Sequence, residues 1–554
     1  MLPSRQVKLV LGLVVTTLLL FSGVRFYLPF DAPGERGDDG VAGPPSVPPR
    51  PGWSVPPGAA DLGDARDRSA DGVTRHRRDV VQKMMKHAWD SYVRYAWGDN
   101  ELRPISKRGH NGGNLGSQPL GETIVAGLDT LYVMGLMEEF KQGRDWIEEN
   151  LSFENASSEV SVYQAAVKMV GGLLSCYALT GDPMFRDRAA RLTDKLLAAF
   201  NTPTGIPLAV VNLKTGWSKN YGWASGACSI LSEIGGLHLE FSYLSDVTGN
   251  PVYRAKVDHI RRVLKSMDKP NGLYPNYLQP KTGRWGQPAS SLGGFGDSFY
   301  EYLLKAWLQS GRTDTEARQM YDEAIDNILK HMMRVSPGGL TYISDMKFDR
   351  LEHKMGHLAC FSGGLLGLGA STQRGDSTDH HMDVAQRVTN TCHEAYDRTA
   401  TKLAPEVFRF TDAVEAKSLK SNEKYYILRP ETFESYFVLW RLTKDPKYRE
   451  WGWEAVQALE KHCRVSGGYS GLKNVYLEDT PKDDVQQSFF LAETLKRRRP
   501  GLPRPVGVQH RGAPAAHQGR QPLLPPGHRL NNGASGKYSG VRVLTLQADS
   551  AWMG

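Results

Sequence analysis

The chain has 554 residues and a formal net charge of +8, and its 40% hydrophobic content is enough for a large folded domain. Residues 494–554 hold ten Lys or Arg against one acidic residue, a local charge of +9 that leaves −1 for the rest. The basic balance therefore belongs to the C-terminal segment and gives no support for nucleic-acid binding.

The N-terminal segment is typical of a membrane anchor. Residues 9–24 carry no charge, with Arg5 and Lys8 before them and Arg25 after them. At about 1.5 Å per residue the run is slightly short for a bilayer, but a small extension with Arg25 snorkelling makes it adequate. Basic residues on its N-terminal side predict a signal anchor over residues 1–28 with a lumenal remainder. A cleaved signal peptide is the alternative, although no small-x-small cleavage site follows the run.

Residues 29–78 are rich in Pro, Gly, Asp and Arg and are predicted to be a flexible stem that buries no core. Two sequons, at Asn150 and Asn155, are compatible with a secretory lumen. Five cysteines form no Cys-x-x-Cys or zinc pattern. An odd number in an oxidising compartment favours one or two disulfides plus buried thiols.

A turn signature recurs along the chain. Residues 179–183, 247–251 and 442–446 each end in Asp-Pro or Asn-Pro, and looser versions lie near Gly311 and Gly375, so the spacing is roughly 65 residues. An apolar helix-like stretch precedes each turn and an amphipathic one follows it. This alternation predicts αα-hairpins, with buried inner helices surrounded by half-exposed outer ones.

Five or more such pairs would close into an α/α toroid, and an open α-solenoid is the alternative. The loops between the pairs are long and contain short β-like pieces such as residues 338–343. Loops of this kind favour a closed barrel with a cleft built from its loops.

Residues 428–435 place two carboxylates, Glu431 and Glu434, three positions apart at a helix start after Pro430. Residues i and i+3 share one helical face. Such a pair suits a site that moves protons or binds a polyol or a metal ion. The alternative is a solvated acidic first turn that the helix dipole favours.

Four other segments complete a pattern. They are residues 222–226 with Glu233, residues 296–302, residues 354–361 and residues 488–496. Together with residues 428–435 they resemble the class I α1,2-mannosidases, glycoside hydrolase family 47, over roughly residues 80–496. The chain is similar to the Golgi enzymes, because Phe295 follows two glycines where the endoplasmic-reticulum type carries an arginine.

The resemblance implies an all-α (α/α)7 barrel over residues 79–496, calcium dependence, and removal of terminal α1,2-linked mannose from high-mannose N-glycans with inversion. It also implies a Golgi membrane protein of single-pass type II with a lumenal catalytic domain. Inversion needs one carboxylic acid to protonate the leaving oxygen and one carboxylate to activate water.

By the same resemblance Glu431 is the base, Asp297 a second catalytic carboxylate and Glu406 a further active-site carboxylate. An N-cap role is the alternative for Asp297. Residues that match the family's sugar pocket are Glu233, Phe295, His357, Arg429, Glu434, Phe489 and Glu493. Cys360 and Cys392 match its disulfide.

Three departures from the family are present. Gln164 stands at the position of the proton donor, and an amide cannot deliver a proton, so activity would depend on Asp297 taking that role. Lys168 replaces a sugar-pocket arginine and lacks its planar fork. The second departure is Ala126, which stands where the family carries an aspartate.

The third departure is the C-terminus. After Lys496 the family's closing helix and its calcium-binding threonine are absent, and residues 497–554 read as a disordered basic tail. An out-of-frame or alternatively spliced end is favoured over a new module, and a basic interaction tail is a third interpretation.

The leading hypothesis is a mannosidase that trims N-glycans, anchored to the membrane by its N-terminal helix. A catalytically silent glycan-binding protein is the second hypothesis, favoured by Gln164, and a plain α-toroid scaffold is the third. There is no P-loop, His-Glu-x-x-His or nucleophile elbow. His380 and His381 are expected on a solvated loop and not at a metal site.

Overall fold

The computed structural model describes residues 71–372 and 376–496. The predicted anchor (residues 1–28), most of the predicted stem and the tail (residues 497–554) lie outside the described residues. The first helix begins within the segment predicted as stem, because Asp71 caps it by accepting a hydrogen bond from the Thr74 amide at 2.7 Å.

Helices make up most of the fold. In chain order they are α1 (Gly72–Ala96), α2 (Glu122–Met134), α3 (Met137–Asn150), α4 (Val162–Thr180), α5 (Pro183–Leu196), α6 (Leu231–Gly235), α7 (His238–Thr248), α8 (Val252–Ser266), α9 (Asp297–Gln309), α10 (Thr315–Met332), α11 (Ser362–Ser371), α12 (Asp376–Asp397), α13 (Glu431–Thr443) and α14 (Lys447–Ala458). A π-helical segment, Phe490–Thr494, follows, and α4 contains a π-helical stretch, Ala165–Gly171.

These elements form two rings, as the repeat predicts. Within the described part of the chain, the inner ring is α2, α4, α7, α9, α11, α13 and Phe490–Thr494, and the outer ring is α1, α3, α5, α8, α10, α12 and α14. Every residue of α2 is buried. The outer helix α8, in contrast, buries one stripe at Tyr253, Val257, Ile260 and Leu264.

The recurring turn has the same backbone each time. Gly181 and Gly249 adopt left-handed conformations with φ of 73° and 74°, and Lys444 does so with φ of 63°. Asp182 then caps α5 by accepting from the Met184 amide at 3.0 Å. The Asp182 carboxylate also pairs at 2.9 Å with Arg144 of α3, and both side chains are buried.

The two ends of the described chain close the outer ring. Arg77 of α1 forms a two-pronged ion pair with Glu450 of α14, at 2.5 and 2.9 Å, and lies over the ring of Trp453. In the inner ring, Lys496 reaches Asp129 of α2 at 2.7 Å. A closed barrel therefore replaces the open solenoid that the sequence also allowed.

Short antiparallel strands occupy the loops. In chain order they are β1 (Glu101–Arg103), β2 (Arg108–His110), β3 (Glu159–Ser161), β4 (Val210–Asn212), β5 (Ser218–Lys219), β6 (Ser229–Ile230), β7 (Tyr277–Gln279), β8 (Arg284–Trp285), β9 (Ala289–Ser290), β10 (Met333–Val335), β11 (Thr341–Ile343), β12 (Met346–Lys347), β13 (Arg350–Leu351), β14 (Lys354–Gly356), β15 (Val407–Arg409), β16 (Arg464–Val465) and β17 (Gly468–Tyr469). They form sheets of two or three strands, such as β3-β4-β5 and β14-β15.

One disulfide joins Cys360 to Cys392, as the resemblance implies. Within the described residues, Cys176, Cys228 and Cys463 are buried free thiols. The expectation of one or two disulfides plus buried thiols is confirmed.

Helix α4 is the one described helix that is long and apolar enough to cross a membrane. It is an inner helix of the barrel with 56% of the tested window buried, so packing against its neighbours accounts for its apolar composition.

The prediction of a loop at His380 and His381 was wrong. Both lie within helix α12, and the Nε2 atom of His381 is 3.2 Å from Asp326 of α10. The pair therefore lies on an outer helix that packs against its neighbour, and not on a loop.

Replacing Asp182 with Ala removes a helix cap and leaves Arg144 without one of its carboxylate partners. We expect the free energy of unfolding to fall by about 2–4 kcal/mol. Asn250→Ala is the matched control, because Asn250 caps the equivalent turn on an exposed surface, and it should cost about 1 kcal/mol. Urea denaturation of both variants measures the difference, and equal losses would contradict this account.

Candidate active site

Helix α13 begins at Glu431 with Pro430 as its N-cap residue. The chain enters through Leu428, a buried leucine with a left-handed φ of 67°, which costs roughly 1–3 kcal/mol. Thr494 holds this backbone by donating its hydroxyl to the Leu428 carbonyl at 2.8 Å. The last described inner segment therefore positions the residues that carry the predicted site.

Glu431 contacts His357. The Nδ1 atom of the imidazole is 3.0 Å from Glu431 Oε2, and Nε2 is 2.8 Å from the hydroxyl of Tyr396. Burial acts to raise the pKa of Glu431, but the hydrogen bond from His357 and the charge of Arg429 lower it below its usual value. Glu431 is therefore held ionised, as a general base requires.

Arg429 and Glu406 form a two-pronged ion pair, with both N–O distances at 2.6 Å. Since both oxygens of Glu406 accept from Arg429, this carboxylate is suited to holding the arginine in place. The Glu406 carbonyl also accepts the backbone N–H of His357 at 2.8 Å. The predicted site residues from three segments are thus brought together.

Asp297 is the first residue of α9, and the N-cap residue is Gly296. An Asp297 oxygen accepts from the Ser298 amide at 2.9 Å. Burial, together with the charges of Glu301 and Glu431, raises the pKa of Asp297 to about 7. Below about pH 7, and above the lowered pKa of Glu431, this carboxyl is thus largely protonated while Glu431 is ionised.

Lys305, a buried lysine of α9, lies between two carboxylates. It contacts Glu301 one turn before it and is 3.7 Å from Glu434. Burial raises the pKa of Glu434 to about 7 although Lys305 acts against the shift. The two glutamates at the start of α13 therefore differ: Glu431 is ionised and Glu434 titrates near neutrality.

Two more predicted carboxylates lie in the barrel. Burial raises the pKa of Glu233, on α6, to about 8, and its Oε2 has no hydrogen-bond partner among the described protein groups. Glu493 is exposed along part of its side chain, but many protein atoms surround its carboxyl group. This desolvation and the charges of Glu431 and Glu434 raise the pKa of Glu493. Both carboxyl groups are positioned to form hydrogen bonds with the hydroxyl groups of a polyol.

Helix α4 carries Gln164 and Lys168, two of the departures noted in the sequence, and Ala126 lies buried on α2. The ammonium of Lys168 is 2.6 Å from Glu122 of α2, and the Ser488 hydroxyl donates to the same Glu122 oxygen at 2.7 Å. Gln164 lies one turn before Lys168. Tyr163, its neighbour, has its hydroxyl 2.6 Å from that of Ser298, so this wall adjoins the start of α9.

Aromatic side chains lie at the same side of the barrel as Glu233. Phe295 is 42% exposed and packs near Trp223, which is 62% exposed, with ring centroids 5.9 Å apart. The Phe295 carbonyl accepts from the amide of Ser232, the residue before Glu233. Phe489 is half-buried next to Ser488. Exposed apolar rings beside buried carboxyls form a surface that fits a sugar ring.

No group of three or more His, Cys, Asp or Glu side chains in residues 71–372 and 376–496 could hold a metal ion. No cluster of this kind therefore marks a site for the calcium ion that the resemblance implies, and the roles given to the side chains involve no metal ion.

Sequence reasoning missed several residues of the site. They are Glu122, Glu301, Lys305, Tyr396, Ser488 and Thr494. Glu301, Ser488 and Thr494 lie inside the motifs of residues 296–302 and 488–496 but were given no role there. Glu122, Lys305 and Tyr396 lie outside every motif, and their partners are in other segments of the chain.

An ionised carboxylate and a protonated carboxyl at one site are the arrangement that glycoside hydrolases use. The sequence agrees with this class. Residues 84–497 match glycosyl hydrolase family 47, and the chain belongs to that family.

Named relatives are similar over the same region. The chain is 64% identical over 433 residues to mannosyl-oligosaccharide alpha-1,2-mannosidase IA of Drosophila melanogaster, covering 78% of this chain and 65% of that protein. It is 58% identical to mannosyl-oligosaccharide 1,2-alpha-mannosidase IB of Homo sapiens, covering 77% and 66%. The chain thus spans about 65% of the length of these relatives.

A solved structure has the same fold. The alpha-1,2-mannosidase from Trichoderma reesei aligns with a TM-score of 0.69 at 27% identity, covering 76% of this chain and 92% of that one. This agreement supports the closed helical barrel predicted from the repeat.

Replacing Lys168 with Met leaves the buried Glu122 carboxylate without its cation, and we expect a loss of about 3 kcal/mol in the free energy of unfolding. Adding Glu122→Gln should recover about 2 kcal/mol, because no uncompensated buried charge remains. Urea denaturation of the two single variants and the double variant measures this coupling.

The control is Lys86→Met, at an exposed lysine 2.9 Å from Glu139, which should cost under about 1 kcal/mol. Strictly additive losses at residues 122 and 168 would show that the two side chains do not stabilise each other.

Proposed function

We propose that this protein is a glycosidase that removes terminal α1,2-linked mannose from high-mannose N-glycans with inversion. Membership of glycosyl hydrolase family 47 and the names of its relatives support the reaction class. The observation that carries the proposal is the separation of two pKa values: that of Glu431 is lowered and that of Asp297 is raised to about 7.

The residues act as follows. Glu431 takes a proton from water, and the water oxygen forms a bond to the anomeric carbon from the face opposite the leaving group. The glycosidic C–O bond breaks, and Asp297 gives its proton to the leaving oxygen. The anomeric configuration is inverted, and exchange with solvent returns Glu431 to its ionised form and Asp297 to its protonated form.

Asp297 takes the acid role because Gln164 cannot. The contact between Tyr163 and Ser298 places the wall that carries Gln164 beside the start of α9. Asp297 would therefore deliver the proton from the start of α9, next to the helix that carries Gln164.

The other predicted residues bind the sugar. Arg429 is held in a fixed orientation by Glu406, and a fixed guanidinium orients hydroxyl groups well. The remaining predicted contacts to the sugar are Glu233, Phe295, Glu434, Phe489, Glu493 and Lys168, whereas both ring nitrogens of His357, also predicted to contact the sugar, are bonded to Glu431 and Tyr396. Phe489 and Phe295 offer apolar faces, and the carboxyls offer hydrogen bonds.

Calcium dependence and Golgi location belong to this proposal. Calcium rests on family membership, because the described residues supply no metal site of their own. The location rests on the apolar run of residues 9–24 with basic residues before it, which fits a type II anchor with the barrel in the lumen.

A second candidate function is supported by Gln164. A barrel that keeps its sugar contacts but lacks the family's proton donor would bind high-mannose glycans without cleaving them. The two candidates differ in one measurable respect, turnover.

Mannose release from a nine-mannose N-glycan by the full chain, with calcium and then with chelator, tests the proposal. We expect calcium-dependent release, with kcat lowered about 10²–10⁴-fold in Asp297→Asn and in Glu431→Gln. Gln164→Glu should raise kcat about 10-fold or more, because it restores a carboxylic acid where the family has one.

The matched control is Gln142→Glu, which adds the same charge on the exposed face of α3 and should leave kcat unchanged. Glycan binding without release by the wild-type chain would favour the silent binding protein. Full activity in Asp297→Asn would show that Asp297 is not the acid.

The pH dependence of kcat/KM follows from the same two groups. Activity needs Glu431 ionised, so it rises with pH through a value below that of an ordinary glutamate. It also needs Asp297 protonated, so it falls as pH rises through about 7. A rate series from pH 3 to 9 should give this bell shape.

Two variants identify the group that causes the alkaline limb, which is the fall in kcat/KM as pH rises through about 7. Asp297→Asn should abolish it, and Glu233→Gln should retain it, although burial raises the pKa of Glu233 to about 8. The reverse pattern would make Glu233 the titrating acid.

A further inference from the structure

His357 lies between two hydrogen-bond partners. Its Nδ1 is 3.0 Å from Glu431 Oε2 and its Nε2 is 2.8 Å from the Tyr396 hydroxyl. The imidazole is 1% exposed and Tyr396 is 4% exposed, so bulk water does not compete for either nitrogen. The partners of His357 therefore decide which nitrogen carries hydrogen.

An ionised carboxylate can only accept hydrogen bonds. Nδ1 of His357 must therefore carry hydrogen to bind Glu431, and in the neutral ring Nε2 is then an acceptor that needs a donor. The Tyr396 hydroxyl is placed to be that donor. Burial raises the pKa of Tyr396 far above its usual value, so the hydroxyl keeps its hydrogen.

We infer that Tyr396 is a positioning residue: its hydroxyl donates to Nε2 of His357, which fixes hydrogen on Nδ1 and directs it at Glu431. This inference rests on the proposed function for the role of Glu431 as base. The consequence is that one Glu431 oxygen is held in place and the carboxylate stays ionised, while Tyr396 itself touches neither sugar nor water.

The backbone around the pair is fixed independently. The Cys360–Cys392 disulfide joins the turn that begins at His357 to helix α12, one turn before Tyr396. The ring of Tyr426 packs against both His357 and Tyr396, with centroids 5.9 and 6.3 Å away. The contact between imidazole and phenol is therefore built into the fold.

Other charged and titratable groups also act on Glu431. The groups that face Glu431 or exert a charge effect with it are Asp297, His357, Tyr396, Tyr426, Arg429, Glu434 and Glu493. Of these, His357 donates a direct hydrogen bond and Arg429 adds the positive charge, so loss of the His357 bond should raise the pH at which Glu431 loses its proton.

The test compares Tyr396→Phe with Tyr436→Phe in the full chain. Tyr436 is a buried tyrosine on α13, and its hydroxyl is 3.1 Å from Nδ1 of His393. This hydrogen bond involves neither His357 nor Glu431. Two readouts are needed: the acid limb of the pH profile of kcat, and the ¹⁵N spectrum of the histidine rings, with the His357 signal assigned by its loss in His357→Gln.

In the wild-type chain we expect His357 protonated on Nδ1. In Tyr396→Phe the hydrogen should shift toward Nε2, the acid limb should move up by about one pH unit, and KM should change less than about 2-fold. Tyr436→Phe should change neither readout. An unchanged His357 spectrum and acid limb in Tyr396→Phe would overturn the inference.

The spectrum separates this inference from the proposed function. A wild-type chain that releases no mannose but shows the Nδ1 tautomer, and loses it in Tyr396→Phe, supports the positioning role and refutes the proposed activity. Mannose release with His357 protonated on Nε2 in the wild type overturns the positioning role alone. If Tyr396→Phe does not fold, the wild-type spectrum alone is the test. The Nδ1 tautomer of His357 then supports the positioning role, and the Nε2 tautomer overturns it.

Discussion

Carboxyl groups confined in a dry interior are the constraint on which this structure depends. Removing a carboxylate from water is costly, and carboxylates close to one another repel, so each group must find a cation or a hydrogen-bond donor, or keep its proton. Glu406 is paired with Arg429, and Glu431 is held by His357. Asp297 and Glu233 have no such partner, and burial raises the pKa of each. The position of each carboxyl group in the barrel thereby determines whether it is protonated or ionised.

The wall formed by α4 shows the same constraint in another form. On this wall the chain has an amide, Gln164, which needs no cation. The carboxylate on this side is Glu122, and Lys168 and Ser488 bind it on one oxygen. A neutral amide next to a satisfied ion pair costs less than a second unpaired carboxyl would. Gln164 and Lys168 therefore favour stability of this wall, and Gln164 supplies no acid to it.

Much of the fold was predictable, because its turns are local. Gly181 and Asp182 specify a left-handed residue and a helix cap within a few positions, and the ring of helices follows from repeating that unit. The start of α13 at Glu431 was predictable for the same reason. The contact between His357 and Glu431 was suggested only by resemblance, since 74 residues separate them. Tyr396 and Lys305 carried no local signal, and the two histidines of α12 were misplaced because their polar neighbours resemble a loop.

The closure of the outer ring has a consequence for synthesis. Arg77 and Glu450 are 373 positions apart, so the first outer helix meets its partner only after nearly the whole barrel has been translated. At about 5–20 residues per second, that interval is roughly 20–75 s. Throughout it, α1 can pack on the strands and helices that follow it directly, but Arg77 lacks the carboxylate that pairs with it in the finished protein. The ring of an emerging chain thus stays open at α1, and a chain terminated before α14 would never close it through this ion pair.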